Sequence, residues 1–284
     1  MNRERGRSLV CPFFLFFLLN YNMATAVITP SHVAPSNYIP FREFDSVTKG
    51  FEACEIEGKL AVPFVVRASS LALSGINKGD VGGDDSSWPS LAKIRKQLRL
   101  EGYIEGYSCV NNEKISMSGA DTLIAHDNCK LNHNIIDSIS TRSSTSLLSE
   151  QMIKLNKTSR VEEQHWLAYV VSPVSNHIGA LHCDPPFGSN WQFMAEGEKT
   201  WYAISPKEFD IKLFDCQGNA PDMKKLSLLH DTYKVTISPG DFVSVPIFWP
   251  HAIQTNIAAI GLSGYSIVPS ALLSPRDEND DGDY

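Results

Sequence analysis

Long apolar runs are scarce in this 284-residue chain. The one near the N-terminus, Leu9–Leu19 (LVCPFFLFFLL), is too short to span a bilayer comfortably. The six cysteines, Cys11, Cys54, Cys109, Cys129, Cys183 and Cys216, form no CxxC pair, so nothing signals a zinc ribbon or a dithiol redox motif. The chain is also long and apolar enough to need no disulfide framework. Positive charge is in short supply. Lysine and arginine number 25 against 32 aspartate and glutamate, and the formal net charge of −7 disfavours non-specific binding to a nucleic acid backbone. The densest basic run, Lys93-Ile94-Arg95-Lys96-Gln97-Leu98-Arg99, reads as the solvated face of a helix. There is no internal repeat. What remains is 43% hydrophobic and 20% charged, ordinary for a globular protein. The length suits one larger β-barrel domain, or one domain with an attached α/β region.

Arg3, Arg5 and Arg7, the apolar run and the small triplet Ala24-Thr25-Ala26 together describe a secretory signal peptide over residues 1–26. The alternative is an upstream extension with Met23 as the true start. The first reading implies the secretory route and the ER lumen, and the sequon Asn156-Lys157-Thr158 is compatible with it. The second implies the cytoplasm or nucleus. Residues 27–160 form a mixed α/β lead-in. Residues 27–59 of it read as extended, because Pro30, Pro35 and Pro40 prevent long helices. Leu60–Arg67 reads as a strand with an edge proline, Ser90–Leu98 as a helix opened by Pro89 and Ser90, and Leu147–Leu155 as a short helix. Residues 107–145 give no clear pattern.

From Trp166 the texture changes to short β-like runs between turns. They are Trp166–Val171, His177–His182, Trp191–Met194, Lys199–Ile204, Tyr233–Ile237, Phe242–Val245, His251–Asn256 and Ile260–Val268, with Pro206–Phe214 as a helical insert. Many short strands with Gly/Pro turns predict a mainly β core at 161–271, a barrel or jelly roll with flanking helices and α+β overall. The acidic residues 272–284 read as a disordered tail.

The chemistry concentrates at Leu181-His182-Cys183-Asp184-Pro185-Pro186. Residues i and i+2 of a strand face one side, so His182 and Asp184 point together into the barrel, and Cys183 points away. One imidazole and one carboxylate make two-thirds of the facial triad that holds non-haem iron(II). His251 supplies the third ligand. It opens a strand after Pro239-Gly240-Asp241-Phe242-Val243-Ser244-Val245 and the corner Pro246-Ile247-Phe248-Trp249-Pro250, which bring it back beside the first pair. Lys199 starts an otherwise apolar strand, and a lysine there is costly to bury unless it meets an anion. Trp191, Trp201 and Trp249 read as barrel packing.

HCDPPFGSNWQFMAEGEKTWYAISP followed by ISPGDFVSVPIFWPHAIQTN resembles the core of the Jumonji C oxygenases, over roughly Trp166 to Pro269. That family carries an H-x-D/E pair, a G-x-K-x-W strand ending in proline, and a P-G-D strand leading to the second histidine. The resemblance implies a double-stranded β-helix (cupin) barrel. It implies iron(II) at His182, Asp184 and His251, 2-oxoglutarate as co-substrate with its distal carboxylate on Lys199, and dioxygen as oxidant. It also implies a polar partner for that carboxylate, for which Tyr169, Asn190 and Ser263 are candidates by position. Many relatives carry a threonine where this chain has Gly179. The implied activity is hydroxylation of a protein side chain, so the expected partner is a protein substrate. Lysine demethylation by the same chemistry ranks second, because the chain lacks histone-reading modules and a zinc cluster. A metal-binding cupin of another class is the further alternative, and it would have no fixed need for Lys199.

Overall fold

A computed structural model describes residues 37–56, 62–73, 88–108, 113–138, 167–175, 178–184, 189–206, 222–246 and 248–266. The predicted leader, the sequon, the helix at 147–155 and the acidic tail lie outside these residues, as does nearly all of the predicted 206–214 helix. In chain order the elements are β1 (Ile39–Pro40), β2 (Arg42–Phe44), α1 (Val47–Ile56), β3 (Phe64–Val66), α2 (Ala68–Leu73), α3 (Leu91–Leu100), β4 (Ile104–Ser108), β5 (Lys114–Met117), α4 (Gly119–Asp127), β6 (His133–Ser138), β7 (Leu167–Ser172), β8 (Ser189–Ile204), α5 (Met223–Leu229), β9 (Thr232–Ile237), β10 (Phe242–Val245) and β11 (His251–Ser266). Among the described residues, no helix is long and apolar enough to cross a membrane.

The strands join one sheet, ordered β2-β3-β10-β8-β11-β7-β6-β4-β5, with β9 on β8 and β1 on β9. The arrangement turns on two long strands, β8 and β11, which run antiparallel along each other's length. The first half of β8 pairs with β10 and the second half with β9. One strand thus serves two groups of neighbours, and the sheet curls on itself as a jelly roll must.

The sequence predicts two strands where the structure has β8, and two more where it has β11. Both are continuous through a bulge. Gly197 sits at φ +85°, and a Cβ there would collide with the carbonyl oxygen of Ala258. The partner strand shifts register three times between Thr255 and Gly261. The glycine-containing turn signal is therefore a bulge inside a strand.

The bulge changes which residues face inward. Before it, Trp191 and Phe193 pack outward with Ile94, Leu98 and Leu123 of α3 and α4, while Met194 faces the barrel interior. After it, Trp201 and Ala203 share that interior with Met194, Val235, Ile237, Val243 and Ala259. Tyr202 and Ile204 pack on the opposite side with Met223 and Leu226 of α5.

Two further expectations are corrected, and one unassigned stretch is resolved. The lead-in is not extended throughout, because α1 forms in the proline-free stretch after Pro40. β3 is no edge strand. It lies between β2 and β10 with all three residues buried, and Pro63 just before it accepts a hydrogen bond from Arg42 N at 3.1 Å. The unassigned stretch contains β5, α4 and β6. The basic run does lie on a helix, α3, capped by Ser90 Oγ, with Ile94 and Leu98 inward. Arg95 ties α3 to Asp127 of α4, at 2.6 Å, and to Glu196 of β8, at 3.3 Å.

Candidate metal centre and its surroundings

His182 and His251 reach each other through a two-way backbone bridge. His182 N donates to His251 O at 3.0 Å, and His251 N donates to His182 O at 2.8 Å. A residue ahead of β8 is thereby fixed beside the first residue of β11. The Pro-Gly-Asp turn before β10 sets the approach. Gly240 takes φ +90°. Asp241 accepts from Ala68 N at 2.9 Å, from Ser238 N at 3.1 Å and from Arg67 Nη1 at 3.0 Å. The carboxylate thus pins the β9–β10 turn to the end of β3.

The ligand atoms of His182, Asp184 and His251 lie within 4.8 Å of one another. His251 Nε2 is 3.3 Å from Asp184 Oδ2, and His182 Nε2 is 4.0 Å from Asp184 Oδ1. Backbone carbonyls fix both imidazole tautomers. His182 Nδ1 lies 2.9 Å from Ala180 O, and His251 Nδ1 lies 3.0 Å from Trp249 O. A carbonyl only accepts, so each neutral ring carries its proton on Nδ1 and turns a bare Nε2 lone pair to the carboxylate. His251 Nε2 is buried without a hydrogen-bond partner among the described residues. A buried acceptor left this way costs free energy unless something binds it. Two imidazole nitrogens and a carboxylate oxygen suit a divalent first-row ion.

The electrostatics agree with that donor set. Burial pushes His251 down to about 4, against the pull of Asp184. Burial alone would raise the Asp184 carboxyl, but His251, His182, Asn190 and Tyr265 outweigh it and hold it below the ordinary carboxylate value. At neutral pH Asp184 is therefore a carboxylate and His251 a neutral imidazole. Burial and the Asp184 charge push the Cys183 thiol up to about 11, so it stays protonated. The His182 side chain is 45% exposed and that of His251 1%, so the cluster opens to solvent on the His182 side.

Lys199 is 4% exposed. In the register, Ala203 pairs with His251 and Lys199 with Thr255, and strand alternation puts Lys199, Trp201 and Ala203 on the His251 face. The Trp201 ring stacks on His251 at 5.6 Å between centroids. Lys199 Nζ donates to Ser172 Oγ at 3.0 Å, and no carboxylate among the described residues pairs with it. Burial pushes its ammonium down to about 7.

The other predicted residues separate. Asn190 lies beside the metal cluster, and its Nδ2 donates to Asp184 Oδ2 at 2.7 Å. Ser263 Oγ donates to Trp191 O at 2.9 Å and lies 3.4 Å from Asn190 Oδ1. Tyr169 is not brought to the site. It belongs to the outer cluster, with its hydroxyl 3.4 Å from Glu101 Oε1. Gly179 N donates to Ile253 O at 2.8 Å, which places that backbone against β11.

Three residues at the site escape the sequence reading. Tyr265 donates to Asp184 Oδ1 at 3.3 Å. Ser172 holds Lys199. Gln192 is buried on the inner face with Oε1 lacking a partner among the described residues. Alternation from Asn190 and Ser263 would have reached Gln192 and Tyr265, whereas nothing local marks Ser172.

No family model matches the chain. Over 99 residues it is 27% identical to JmjC domain-containing histone demethylation protein 1 of Aspergillus fumigatus. Over the same length it is 24% identical to histone lysine demethylase PHF8 and 23% identical to lysine-specific demethylase 7A, both of Danio rerio. Each match covers 34% of this chain, but only 7, 10 and 11% of those proteins respectively. Taken with the curled sheet and the His-Asp-His cluster inside it, these similarities relate about a third of the chain to Jumonji C proteins.

Proposed function

We propose that the chain is an iron(II)- and 2-oxoglutarate-dependent oxygenase acting on a C–H bond of a protein side chain. His182, Asp184 and His251 would hold the metal, and Lys199 would anchor the distal carboxylate of the co-substrate. The observation that carries this reading is Lys199, a buried ammonium with no carboxylate partner among the described residues, on the same inner face as His251. A cupin of another class has no need for such a group, and an unpaired buried ammonium costs several kcal/mol. Iron(II) with 2-oxoglutarate and dioxygen supplies the oxidising equivalent for hydroxylation.

The chain's own residues then have separate tasks. The Nδ1–H bonds to Ala180 O and Trp249 O hold both imidazoles in the tautomer that offers Nε2. Trp201 and Ile253 wall the His251 side against water. Ser172 orients the Lys199 ammonium. Gln192, inside the barrel, offers an amide oxygen with no partner among the described residues to a donor on a bound molecule. The exposed edge of His182 is the side from which a protein side chain would approach.

Hydroxylation of a side-chain carbon leaves an alcohol, whereas hydroxylation of an N-methyl carbon leads to demethylation. The names of the similar proteins favour the second outcome, with a methylated lysine as substrate, and of the possible compartments they favour the nucleus. The division into a lead-in at 27–160 and a core at 161–271 is proposed on the same footing. Succinate formation from 2-oxoglutarate should require iron(II) and disappear in His182→Ala. Mass spectrometry of methyl-lysine and unmethylated peptides then separates the products: a loss of methyl with formaldehyde release, or a gain of one oxygen. No iron-dependent succinate formation with any peptide would overturn the oxygenase reading.

A further inference from the structure

Asp184 is the one anionic member of the cluster, and each of its oxygens has its own donor outside the triad. Asn190 Nδ2 lies 2.7 Å from Oδ2, the oxygen facing His251. Tyr265 OH lies 3.3 Å from Oδ1, the oxygen facing His182. The two donors come from paired positions, because Asn190 on β8 lies opposite Tyr265 on β11. They form a rigid pair of posts across one rung of the barrel.

The posts are themselves held. Asn190 O accepts from Ser244 Oγ at 3.1 Å, and Val245 of β10 is its partner on the other side. The Ser263 hydroxyl lies 3.4 Å from Asn190 Oδ1, and the carboxylate, which only accepts, sets the amide with its NH₂ toward it. Asp184 has no such support from its own element. Among the described residues, the strand pairing nearest to it is the single His182–His251 bridge.

We propose that Asn190 and Tyr265 are positioning residues that clamp the Asp184 carboxylate, one on each oxygen, so that Asp184 offers a preset ligand atom beside His182 and His251. A carboxylate on an irregular segment otherwise rotates about its side-chain bonds, and fixing it before the metal arrives lowers the entropic cost of binding. Outer partners that orient a ligand are typically worth 10–100-fold in metal affinity. This role differs from contact with 2-oxoglutarate, and it rests on the metal reading of the triad.

The test is calorimetric titration of manganese(II) into the full chain without co-substrate, comparing the parent with Asn190→Leu and Tyr265→Phe. Unfolding midpoints measured in chelator report the fold separately. The clamp predicts manganese affinity about 10–100-fold weaker in Asn190→Leu. It predicts a smaller loss in Tyr265→Phe, whose longer hydrogen bond is the weaker one, with the electron paramagnetic resonance line shape of the bound ion altered in both. Tyr265→Phe deletes a single oxygen and carries the test alone if Asn190→Leu fails to fold. Parent-like affinity and line shape in a folded Tyr265→Phe together with a folded Asn190→Leu, or in Tyr265→Phe alone in that case, would overturn the clamp and leave the triad intact. Failure of the parent to bind manganese(II) would instead overturn the triad reading and the clamp with it.

Discussion

At the residue scale the site is an exercise in what each side chain is prevented from doing. In their neutral forms His182 and His251 offer Nε2 only as an acceptor, because carbonyl oxygens hold their protons on Nδ1. Lys199 is prevented from reaching water. Its charged form is disfavoured in the fold, and the sign of the consequence follows. Between about 7 and the ordinary 10.5 the unfolded chain binds the Lys199 proton and the folded chain does not. In that window the unfolded state holds more protons, so stability rises with pH. Below 7 the penalty is present in full. Lys199→Met removes it and should stabilise the chain by about 1–4 kcal/mol near neutral pH, as apolar replacement of buried charges often does. The gain should shrink as pH rises toward 10.5. Urea unfolding midpoints of parent and variant, measured across this range, check it. A variant less stable than the parent at pH 7 would mean that the ammonium has an anionic partner in the folded chain besides the Ser172 hydroxyl.

At the element scale the decisive feature is the bulge in β8 and β11. Gly197 lies in the left-handed region with the Ala258 carbonyl against it, so Gly197→Ala meets both backbone strain and a collision. The expected loss is about 1–3 kcal/mol in urea unfolding. The change should also weaken co-substrate binding, because Lys199 lies just beyond the bulge. An unchanged midpoint would mean that the strand bends without needing glycine there. The same bulge explains where the sequence misleads. Ala195–Glu198 reads as a turn because its glycine and charges interrupt the apolar pattern, and a local pattern does not distinguish a hairpin turn from a bulge inside a paired strand. The pairing of His182 with Asp184 is legible, although the expected strand at His177–His182 is absent and isolated bridges at Ile178 and His182 hold that segment against β11. The return of His251 was legible from the proline-rich corner before it. Tyr169 lies in the outer cluster, and alternation sets its face only once the register with Leu262 is known. Ser172 meets Lys199 through a pairing of distant strands that no short window contains.

At the scale of the whole molecule the sheet keeps two environments apart. Trp88, Trp191, Phe193 and Phe242 stack on the outer face, with Trp88 and Phe193 parallel at 4.5 Å, and α3 and α4 close over that side. The inner face combines aliphatic residues with Lys199, Gln192 and His251, each buried and polar. Polar groups at the centre of a barrel are expensive as structure and useful as a binding site. The strands of the lead-in belong to the same sheet, so the site stands on elements from both halves of the chain. The central claim is that one metal and one dicarboxylate meet inside this barrel, the first on the triad and the second on Lys199. Calorimetric titration of 2-oxoglutarate into manganese(II)-loaded chain tests it most directly, with Lys199→Ala and His182→Ala as comparisons. The account predicts one site per chain in the parent, no binding in His182→Ala, and binding weaker by about 2–4 kcal/mol in Lys199→Ala, or roughly 30- to 1,000-fold in Kd. Equal binding by parent and Lys199→Ala, or no binding by the parent, would contradict it.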